Sequence, residues 1–236
     1  MPNSGAPSVV HGIMRQPSLV DFPGQIAVLM FTAGCNFRCG FCHNPDLLNS
    51  FDAKTYTYAQ LGERLANYRR DWVHAVSLSG GEPTLHRNLP ETLEFFRSEG
   101  FKVKLDTNGS NPEMLERVLP LVDYVAMDIK CAPAHYASFV HYGDMDAIRR
   151  SIGLVIGRAR DYEFRTTVLE EVHTQEEIRA MAPMLLGTRS WIFQAFLPHD
   201  NLPDEHCRTL ARTRPSVLEA CVQAARAAGI DCATAR

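Results

Sequence analysis

Three cysteines within one short loop place the strongest constraint on this chain. Cys35, Cys39 and Cys42 are spaced C-x3-C-x2-C, directly after an apolar run. Thiolates this close in sequence can hold one metal centre, and they favour zinc or iron–sulfur clusters. A closed structural site takes four protein ligands, whereas three ligands leave an open coordination position, which is typical of a site that does chemistry. The spacing therefore predicts a three-cysteine [4Fe–4S] site and leaves open a zinc knuckle completed by His43.

The composition fits one large α/β domain and gives no electrostatic reason to expect a nucleic-acid or membrane partner. The chain has 236 residues, is 45% hydrophobic and carries a formal net charge of -3. It has no apolar run long enough for a transmembrane helix, and its first residues lack the segments of a signal peptide. We therefore expect a cytoplasmic protein. An odd number of cysteines, seven, indicates metal or redox use rather than a disulfide framework.

Apolar runs alternate with capped helical patterns along most of the chain. Ile26 to Phe31 is the first of six strand patterns, and capping boxes at Thr57 and Thr174 begin two of the helices. This alternation predicts a parallel sheet with outer helices. Six strands are too few for a closed eight-stranded barrel, so the fold class is α/β, with a partial (β/α)6 barrel. An N-terminal arm of residues 1–17, loose over its Pro-, Gly- and Ser-rich start, precedes a single domain of residues 18–236.

Polar residues recur where these strands end. The second strand runs into Gly80-Gly81-Glu82-Pro83, whose glycines let a ligand approach the backbone and whose peptide groups can bind its polar end. Each later polar residue also has an ordinary structural explanation, such as a turn or a salt bridge. Because the carboxyl ends of parallel strands meet at one edge, their recurrence predicts a polar ligand site beside the cysteine loop. These later residues are Asp106, Asn108, Asp128, Lys130, Arg165 and Gln194.

The cysteine spacing, with the aromatic Phe41 before the last cysteine, resembles the signature of the radical S-adenosylmethionine (radical SAM) enzymes. Phe41 stands where tyrosine is more usual, and we expect the loss of a hydroxyl to have little effect. The chain is most similar to the activating enzymes of glycyl-radical enzymes, and among them to the anaerobic ribonucleoside-triphosphate reductase activating proteins. The motifs that carry this likeness occur in order at Ser18 to Gly24, Cys35 to Pro45, Gly80 to Pro83, Asp106 to Gly109, Asp128 to Lys130 and Phe164 to Thr167.

The resemblance implies a mechanism and its cofactors. The three cysteines hold a [4Fe–4S] cluster, and its fourth iron binds S-adenosylmethionine (SAM). One electron from the reduced cluster cleaves SAM to methionine and a 5′-deoxyadenosyl radical. That radical removes a hydrogen from a glycine Cα of a partner glycyl-radical enzyme, which we expect to be anaerobic ribonucleoside-triphosphate reductase. An electron donor such as flavodoxin is expected by analogy.

The resemblance also implies roles for the residues that match its motifs. Cys35, Cys39, Cys42 and Lys130 form the catalytic set. The glycine-rich segment holds the methionine end of SAM, and a monovalent cation has a place beside the two aspartates of the set. The cofactor-binding set is Phe41, Gly80, Gly81, Glu82, Asp106, Asn108, Asp128, Lys130, Arg165 and Gln194.

Three other functions remain open from the sequence. The first is activation of a pyruvate formate-lyase type of enzyme, because its activating enzymes share many of these motifs. The second is a radical SAM reaction on a small molecule. The third is a zinc-binding interaction module, which predicts a colourless protein without SAM affinity. The segment 197–215 is not assigned; we expect it near the partner-binding edge, so that its deletion would spare SAM cleavage.

Overall fold

One mostly parallel sheet, curved into an open barrel, organises the computed structural model, which describes residues 3–236. The strands follow one another in the sheet in chain order. Strands two to eight run parallel, and the first runs antiparallel to the second. The two end strands do not pair with each other in this part of the chain, so the predicted open barrel is confirmed. The strands are β1 Gly12–Ile13, β2 Ala27–Thr32, β3 Ala75–Gly80, β4 Lys102–Thr107, β5 Tyr124–Asp128, β6 Tyr162–Val168, β7 Trp191–Ala195 and β8 Ala233–Ala235.

Helices follow the parallel strands, as the sequence predicts. None of those between residues 3 and 236 combines the length and the apolar character that crossing a membrane requires. They pack apolar faces into a core that is continuous with the sheet. The helices are α1 Tyr58–Arg70, α2 Leu89–Ser98, α3 Pro112–Val118, α4 Tyr136–Phe139, α5 Met145–Arg158, α6 Gln175–Met181, α7 Glu205–Thr209 and α8 Pro215–Ala227.

Only one of the two predicted capping boxes is complete. The Thr57 hydroxyl accepts a hydrogen bond from the Gln60 amide at 3.3 Å, and the Gln60 side chain accepts one from the Thr57 amide at 2.9 Å. At α6, Thr174 caps the Glu177 amide at 3.3 Å, but the Glu177 carboxylate accepts from the Ala132 amide at 2.6 Å. Glu177 therefore ties its helix to the loop after β5, a tertiary contact that no local pattern shows.

The N-terminal segment is packed in the part that the structure describes. Val9 and Val10 are 1% and 0% exposed, and the Val10 carbonyl accepts from the Tyr56 amide at 2.8 Å. β1 then extends the sheet beside β2. The expectation of a loose start therefore does not hold for residues 8–10, where two buried valines outweigh the Pro- and Gly-rich composition, whereas residues 3–5 are exposed. Met1 and Pro2 lie outside the described residues, and the boundary between arm and domain stays a prediction.

A small apolar cluster closes the amino-terminal end of the barrel. Phe22 is 4% exposed and lies with its ring centroid 5.8 Å from that of Tyr124. Ala27, Ala75 and Ala126 complete the cluster, and three of its members are the first residues of β2, β3 and β5. This cluster therefore contributes apolar packing at the amino-terminal end of the barrel, beside the buried Glu163 carboxylate, which accepts a hydrogen bond from the Tyr124 hydroxyl at 3.1 Å.

Candidate active site

A cavity at the carboxyl ends of β2 to β6 brings together nearly all of the side chains that the sequence predicts for the site. The cysteine loop follows β2, the glycine-rich segment follows β3, and the charged residues lie on or just after β4, β5 and β6. Seven further residues line the cavity and are in neither the predicted catalytic set nor the predicted cofactor-binding set: Phe37, His43, Asn44, Leu48, Ser79, Thr107 and Thr167. The predicted residues that line the cavity are Cys35, Cys39, Phe41, Cys42, Gly80, Gly81, Glu82, Asp106, Asn108, Asp128, Lys130 and Arg165.

Gln194 is the predicted site residue that does not line this cavity. With its amide oriented to satisfy both partners, its oxygen accepts hydrogen bonds from Arg236 Nε at 3.0 Å and from a terminal nitrogen of Arg236 at 2.9 Å. Arg236 also pairs with the buried Glu163 carboxylate at 2.9 Å. The prediction that Gln194 binds cofactor is therefore not supported by its position. The Gln194 side chain is hydrogen-bonded to Arg236 instead, and the periodicity of a strand cannot predict a partner so distant in sequence.

The cysteine loop is held by its own arginine. One terminal nitrogen of Arg38 donates to the Cys35 carbonyl at 2.6 Å and to the Phe37 carbonyl at 2.8 Å. Burial raises the pKa of the Cys35 thiol to about 11 and that of the Cys39 thiol to about 12. Metal ligation requires the thiolate, so binding of a metal centre at these buried sulfurs releases protons and stabilises the loop.

The donor set fits a multi-iron cluster better than a single zinc ion. A tetrahedral zinc site gathers four ligand atoms around one ion. Between residues 3 and 236, no group of three or more His, Cys, Asp or Glu side chains is arranged in that way. His43, the fourth ligand of the zinc alternative, instead packs with its ring centroid 5.0 Å from that of His199. Three thiols that line one cavity suit a larger cluster, which distributes its cysteines over several irons.

The paired glycines allow two protein segments to meet. A Cβ added at Gly80, where φ is +118°, would lie 2.3 Å from the Thr32 carbonyl oxygen. A Cβ at Gly81 would lie 1.9 Å from the Gly34 carbonyl oxygen. That oxygen accepts a hydrogen bond from the Glu82 amide at 2.8 Å. The sequence explains these glycines by the approach of a ligand, but the structure shows a close approach of the cysteine loop.

Glu82 fixes the loop that follows β4. Its carboxylate, 1% exposed, accepts from the Thr84 amide at 3.0 Å and from the Thr107 hydroxyl at 2.8 Å. It also accepts from the Asn108 amide at 2.6 Å and the Thr84 hydroxyl at 2.6 Å. Burial raises the pKa of Glu82, and these hydrogen bonds oppose that rise by stabilising the charged form. The carboxylate predicted to hold the cofactor is thus already engaged by protein donors.

Five charged side chains form one network near the carboxyl ends of β4, β5 and β6. They are Lys104, Asp106, Asp128, Lys130 and Arg165. Arg165 lies between the two aspartates, 3.2 Å from an Asp106 oxygen and 2.9 Å from an Asp128 oxygen. Lys130 pairs with Asp128 at 2.8 Å, and the almost fully buried Lys104 pairs with Asp106. Three positive groups against two negative groups leave one positive charge in excess, which suits one further carboxylate. The monovalent cation implied by the resemblance stays a prediction, since Arg165 lies between these carboxylates here.

Lys130 extends the network toward the cysteines. It lies beyond β5, which ends at Asp128, so the two do not share a strand face as the sequence suggests. Burial alone would lower the pKa of Lys130, but the Asp128 carboxylate and the Cys39 sulfur together outweigh burial and raise it. Its ammonium lies 5.7 Å from the centroid of the Phe41 ring, within cation–π range. A permanent positive charge therefore lies beside the cysteine loop.

Replacing Asp128 with asparagine is expected to lower the free energy of unfolding by about 3 kcal/mol, because Arg165 and Lys130 would lose a shared counter-charge. Burial would raise the pKa of Asp128, but Arg165 and Lys130 together lower it to about 2, from a usual 3.8. The stabilisation is therefore present above pH 4 and disappears as the pH falls towards 2. Urea unfolding of both proteins across this range measures the difference.

The matched control for this change is Asp146→Asn. Asp146 pairs with Arg149 at 3.1 Å, but its side chain is 91% exposed, so we expect a change of less than about 1 kcal/mol. Equal losses in the two variants, or a loss in Asp128→Asn that does not shrink at low pH, would contradict the assignment of a stabilising network.

The segment after β7 packs against the cysteine loop. The Asp204 amide donates to the Gly40 carbonyl at 3.1 Å, and a Cβ at Gly40 would lie 2.8 Å from the Asp204 Cβ. Leu202 is fully buried, and His199 stacks near His43. From the sequence we expect that deletion of residues 197–215 would spare SAM cleavage, but these contacts argue against that expectation. We now expect deletion to expose the cysteine loop and to impair that step as well.

Comparison with known proteins identifies the family to which this site belongs. Residues 29–182 match the sequence profile of the Radical SAM superfamily. The chain belongs to that superfamily. A protein of Methanocaldococcus jannaschii that carries the name of a glycyl-radical enzyme activating enzyme is 31% identical over 206 residues, which cover 84% of each chain. The protein is thus a radical SAM enzyme, and its predicted membership of the superfamily is confirmed.

Other similar proteins cover less of the chain. A 7-carboxy-7-deazaguanine synthase of Methanothermobacter thermautotrophicus is 30% identical over 57% of this chain and 53% of its own. A pyruvate formate-lyase-activating enzyme of Clostridium pasteurianum is 34% identical over 51% and 52%. The solved structure of anSMEcpe with bound AdoMet and a peptide has a TM-score of 0.61 at 13% identity, over 82% of this chain and 56% of that one. This last likeness concerns the fold alone.

Radical SAM enzymes use a [4Fe–4S] cluster and SAM, and the cavity offers the groups that these cofactors need. Cys35, Cys39 and Cys42 offer three thiols in one cavity, of which Cys35 and Cys39 are buried, and thiolates are the ligands that iron–sulfur clusters use. The charge network, with its one positive charge in excess, lies in the same cavity and suits a ligand carboxylate. The zinc-module alternative does not account for this combination.

Proposed function

We propose that this radical SAM enzyme activates a glycyl-radical enzyme, and that its partner is an anaerobic ribonucleoside-triphosphate reductase. The observation that carries the proposal is the similarity to the Methanocaldococcus jannaschii protein, which spans 84% of both chains. The ordered motifs at Asp106 to Gly109 and Asp128 to Lys130 support the activating group. Removal of a hydrogen from a carbon needs no side-chain general base, which agrees with a cavity built from thiols and ion pairs.

The residues of the cavity divide into two proposed tasks. Cys35, Cys39 and Cys42 bind the cluster, and Lys130 places a positive charge beside them. Arg165 and Lys130 hold the carboxylate of SAM, because the network has one positive charge in excess. When bound, the cluster and SAM supply the hydrogen-abstracting chemistry. The protein's part is to orient both cofactors and to exclude water from them.

The proposal also covers the cellular compartment of the enzyme, its electron donor and the alternative partner protein. All seven cysteines are free thiols, a state that persists in a reducing cytoplasm, where we place the protein. A small redox protein of the flavodoxin class would deliver the electron. Pyruvate formate-lyase remains the alternative partner, since its activating enzyme from Clostridium pasteurianum matches half of the chain.

The proposal is tested by following one hydrogen atom. The reconstituted and reduced enzyme is incubated without oxygen with SAM and with the anaerobic ribonucleoside-triphosphate reductase of the same genome, labelled with deuterium at glycine Cα. We expect a glycine-centred EPR signal on the reductase and deuterium in the 5′-deoxyadenosine. Pyruvate formate-lyase treated in the same way serves as the competing partner.

The outcomes of this experiment separate the alternatives. A glycyl radical on pyruvate formate-lyase alone would reassign the partner. 5′-Deoxyadenosine that forms without any glycyl radical or deuterium transfer would contradict the activating function and favour a small-molecule substrate. A glycyl radical on the reductase that also forms with Cys39→Ala enzyme would show that the radical comes from another source.

A further inference from the structure

The side-chain amide of Asn108 has one defined orientation. Its oxygen accepts a hydrogen bond from the Ser110 backbone amide at 2.9 Å. A backbone N–H can only donate, so the nitrogen of the Asn108 side chain must face the other way. There it lies 3.0 Å from the Asn36 side-chain oxygen and 3.8 Å from the Cys35 sulfur. The two hydrogens of this nitrogen thus have one acceptor each, and both acceptors belong to the cysteine loop.

The backbone of Asn108 is held as firmly as its side chain. Its amide donates to the buried Glu82 carboxylate at 2.6 Å, and the residue is 7% exposed. The Asn108 side chain therefore cannot turn away from the cysteine loop without losing its three hydrogen bonds. The sequence assigns Asn108 to SAM binding, but the structure directs its amide to a cluster cysteine.

Hydrogen bonds to the cysteine sulfurs are few. Cys35 Sγ accepts from the Phe37 backbone amide at 3.4 Å and from Asn108. Throughout residues 3–236, Asn108 is the one side chain that donates to a sulfur of Cys35, Cys39 or Cys42. Hydrogen bonds to the sulfurs of an iron–sulfur cluster are among the factors that set its reduction potential.

We propose that Asn108 is a positioning residue that raises the reduction potential of the cluster through its hydrogen bond to Cys35. Reduction adds one negative charge to the cluster and its thiolates. A donor that points at Cys35 stabilises that added charge more than it stabilises the oxidised state, so reduction becomes easier. The proposal rests on the cluster of the superfamily and not on the identity of the partner enzyme.

The first test is a redox titration of the reconstituted cluster, followed by EPR in the absence of SAM. Asn108→Leu removes the donor and fills its space, so that water does not replace it. In this variant we expect the ratio of reduced to oxidised cluster at a fixed potential to fall by about tenfold, which corresponds to about 59 mV for one electron.

The matched control is Ser110→Ala. It removes the hydroxyl contacts to Asn36 but keeps the backbone amide that orients Asn108. We expect its potential to equal that of the unmodified enzyme. A shift in Ser110→Ala as large as that in Asn108→Leu would show general loosening of the loop and would overturn the proposal. An unchanged potential in Asn108→Leu would overturn it directly.

A second measurement needs no variant and keeps the proposal testable if the substituted proteins fail to bind iron. The unmodified enzyme is labelled with ¹⁵N at asparagine side chains only, and its reduced cluster is examined by pulsed EPR. A ¹⁵N coupling is expected from Asn108, whereas the Phe37 backbone contributes ¹⁴N. Absence of the ¹⁵N coupling would overturn the proposal, and its presence would support it. A protein with no cluster signal at all would instead refute the cluster assignment.

Discussion

Cys39→Ala protein is expected to lose its iron–sulfur cluster and to cleave SAM at least about a hundredfold more slowly than the unmodified enzyme. Cys39 is 8% exposed, lines the cavity, and is one of the three cysteines proposed to bind the cluster. Two remaining cysteines cannot hold the cluster in place, and even changes around metal ligands cost 10- to about 100-fold in affinity or activity. Iron content, the visible absorption of the cluster and 5′-deoxyadenosine formation under anaerobic reduction measure the loss.

Cys221→Ala is the matched control. Cys221 is also buried, at 2% exposure, but it lies on α8 and its thiol contacts the His173 carbonyl at 3.7 Å, away from the cavity. The same change of residue type there is expected to leave iron content and 5′-deoxyadenosine formation near those of the unmodified enzyme. A Cys39→Ala protein that keeps both, or a Cys221→Ala protein that loses both, would refute the three-cysteine cluster site.

The sequence predicts the parts of the site that lie where a strand ends. Cys35, Gly80, Asp106 and Asp128 could be placed at one edge of the sheet because hydrophobic runs fix the strands and parallel strands end together. The open barrel follows from the count of strands in the same way. These features depend on the local hydrophobic pattern and on the order of strands and helices along the chain, and both can be read from the sequence.

Two kinds of contact are not predicted from the sequence. Lys104 and Asp106 lie two residues apart on the same face of β4, but a lysine on a strand is usually exposed, so a buried pair is not expected. Arg236 reaches Glu163 and Gln194 from the end of the chain, and no sequence signal announces that contact. A buried charge needs a partner, and when that partner is distant in sequence it can be identified only from the structure.

Gly81→Ala is expected to lower the free energy of unfolding by about 3 kcal/mol and to weaken cluster binding. The added Cβ would meet the Gly34 carbonyl oxygen at 1.9 Å and its carbon at 2.6 Å, and neither is a flexible side-chain atom. Overpacking a close contact costs about 1–3 kcal/mol, and backbone leaves the least room to relax. The displaced carbonyl would also lose its hydrogen bond from Glu82. Urea unfolding of the apoprotein and iron content after reconstitution measure the two effects.

Gly153→Ala provides the comparison that separates a steric effect at Gly81 from the general effect of replacing glycine. Gly153 lies on the exposed side of α5, and a Cβ there meets no atom within 4 Å. Alanine in an exposed helix is expected to raise the free energy of unfolding by about 0.4–1 kcal/mol. If Gly81→Ala unfolds at the same urea concentration as the unmodified protein and binds a full cluster, the contact with Gly34 does not hold the cysteine loop in place. Opposite shifts in the two variants would show that the paired glycines exist to let β3 and the cysteine loop meet.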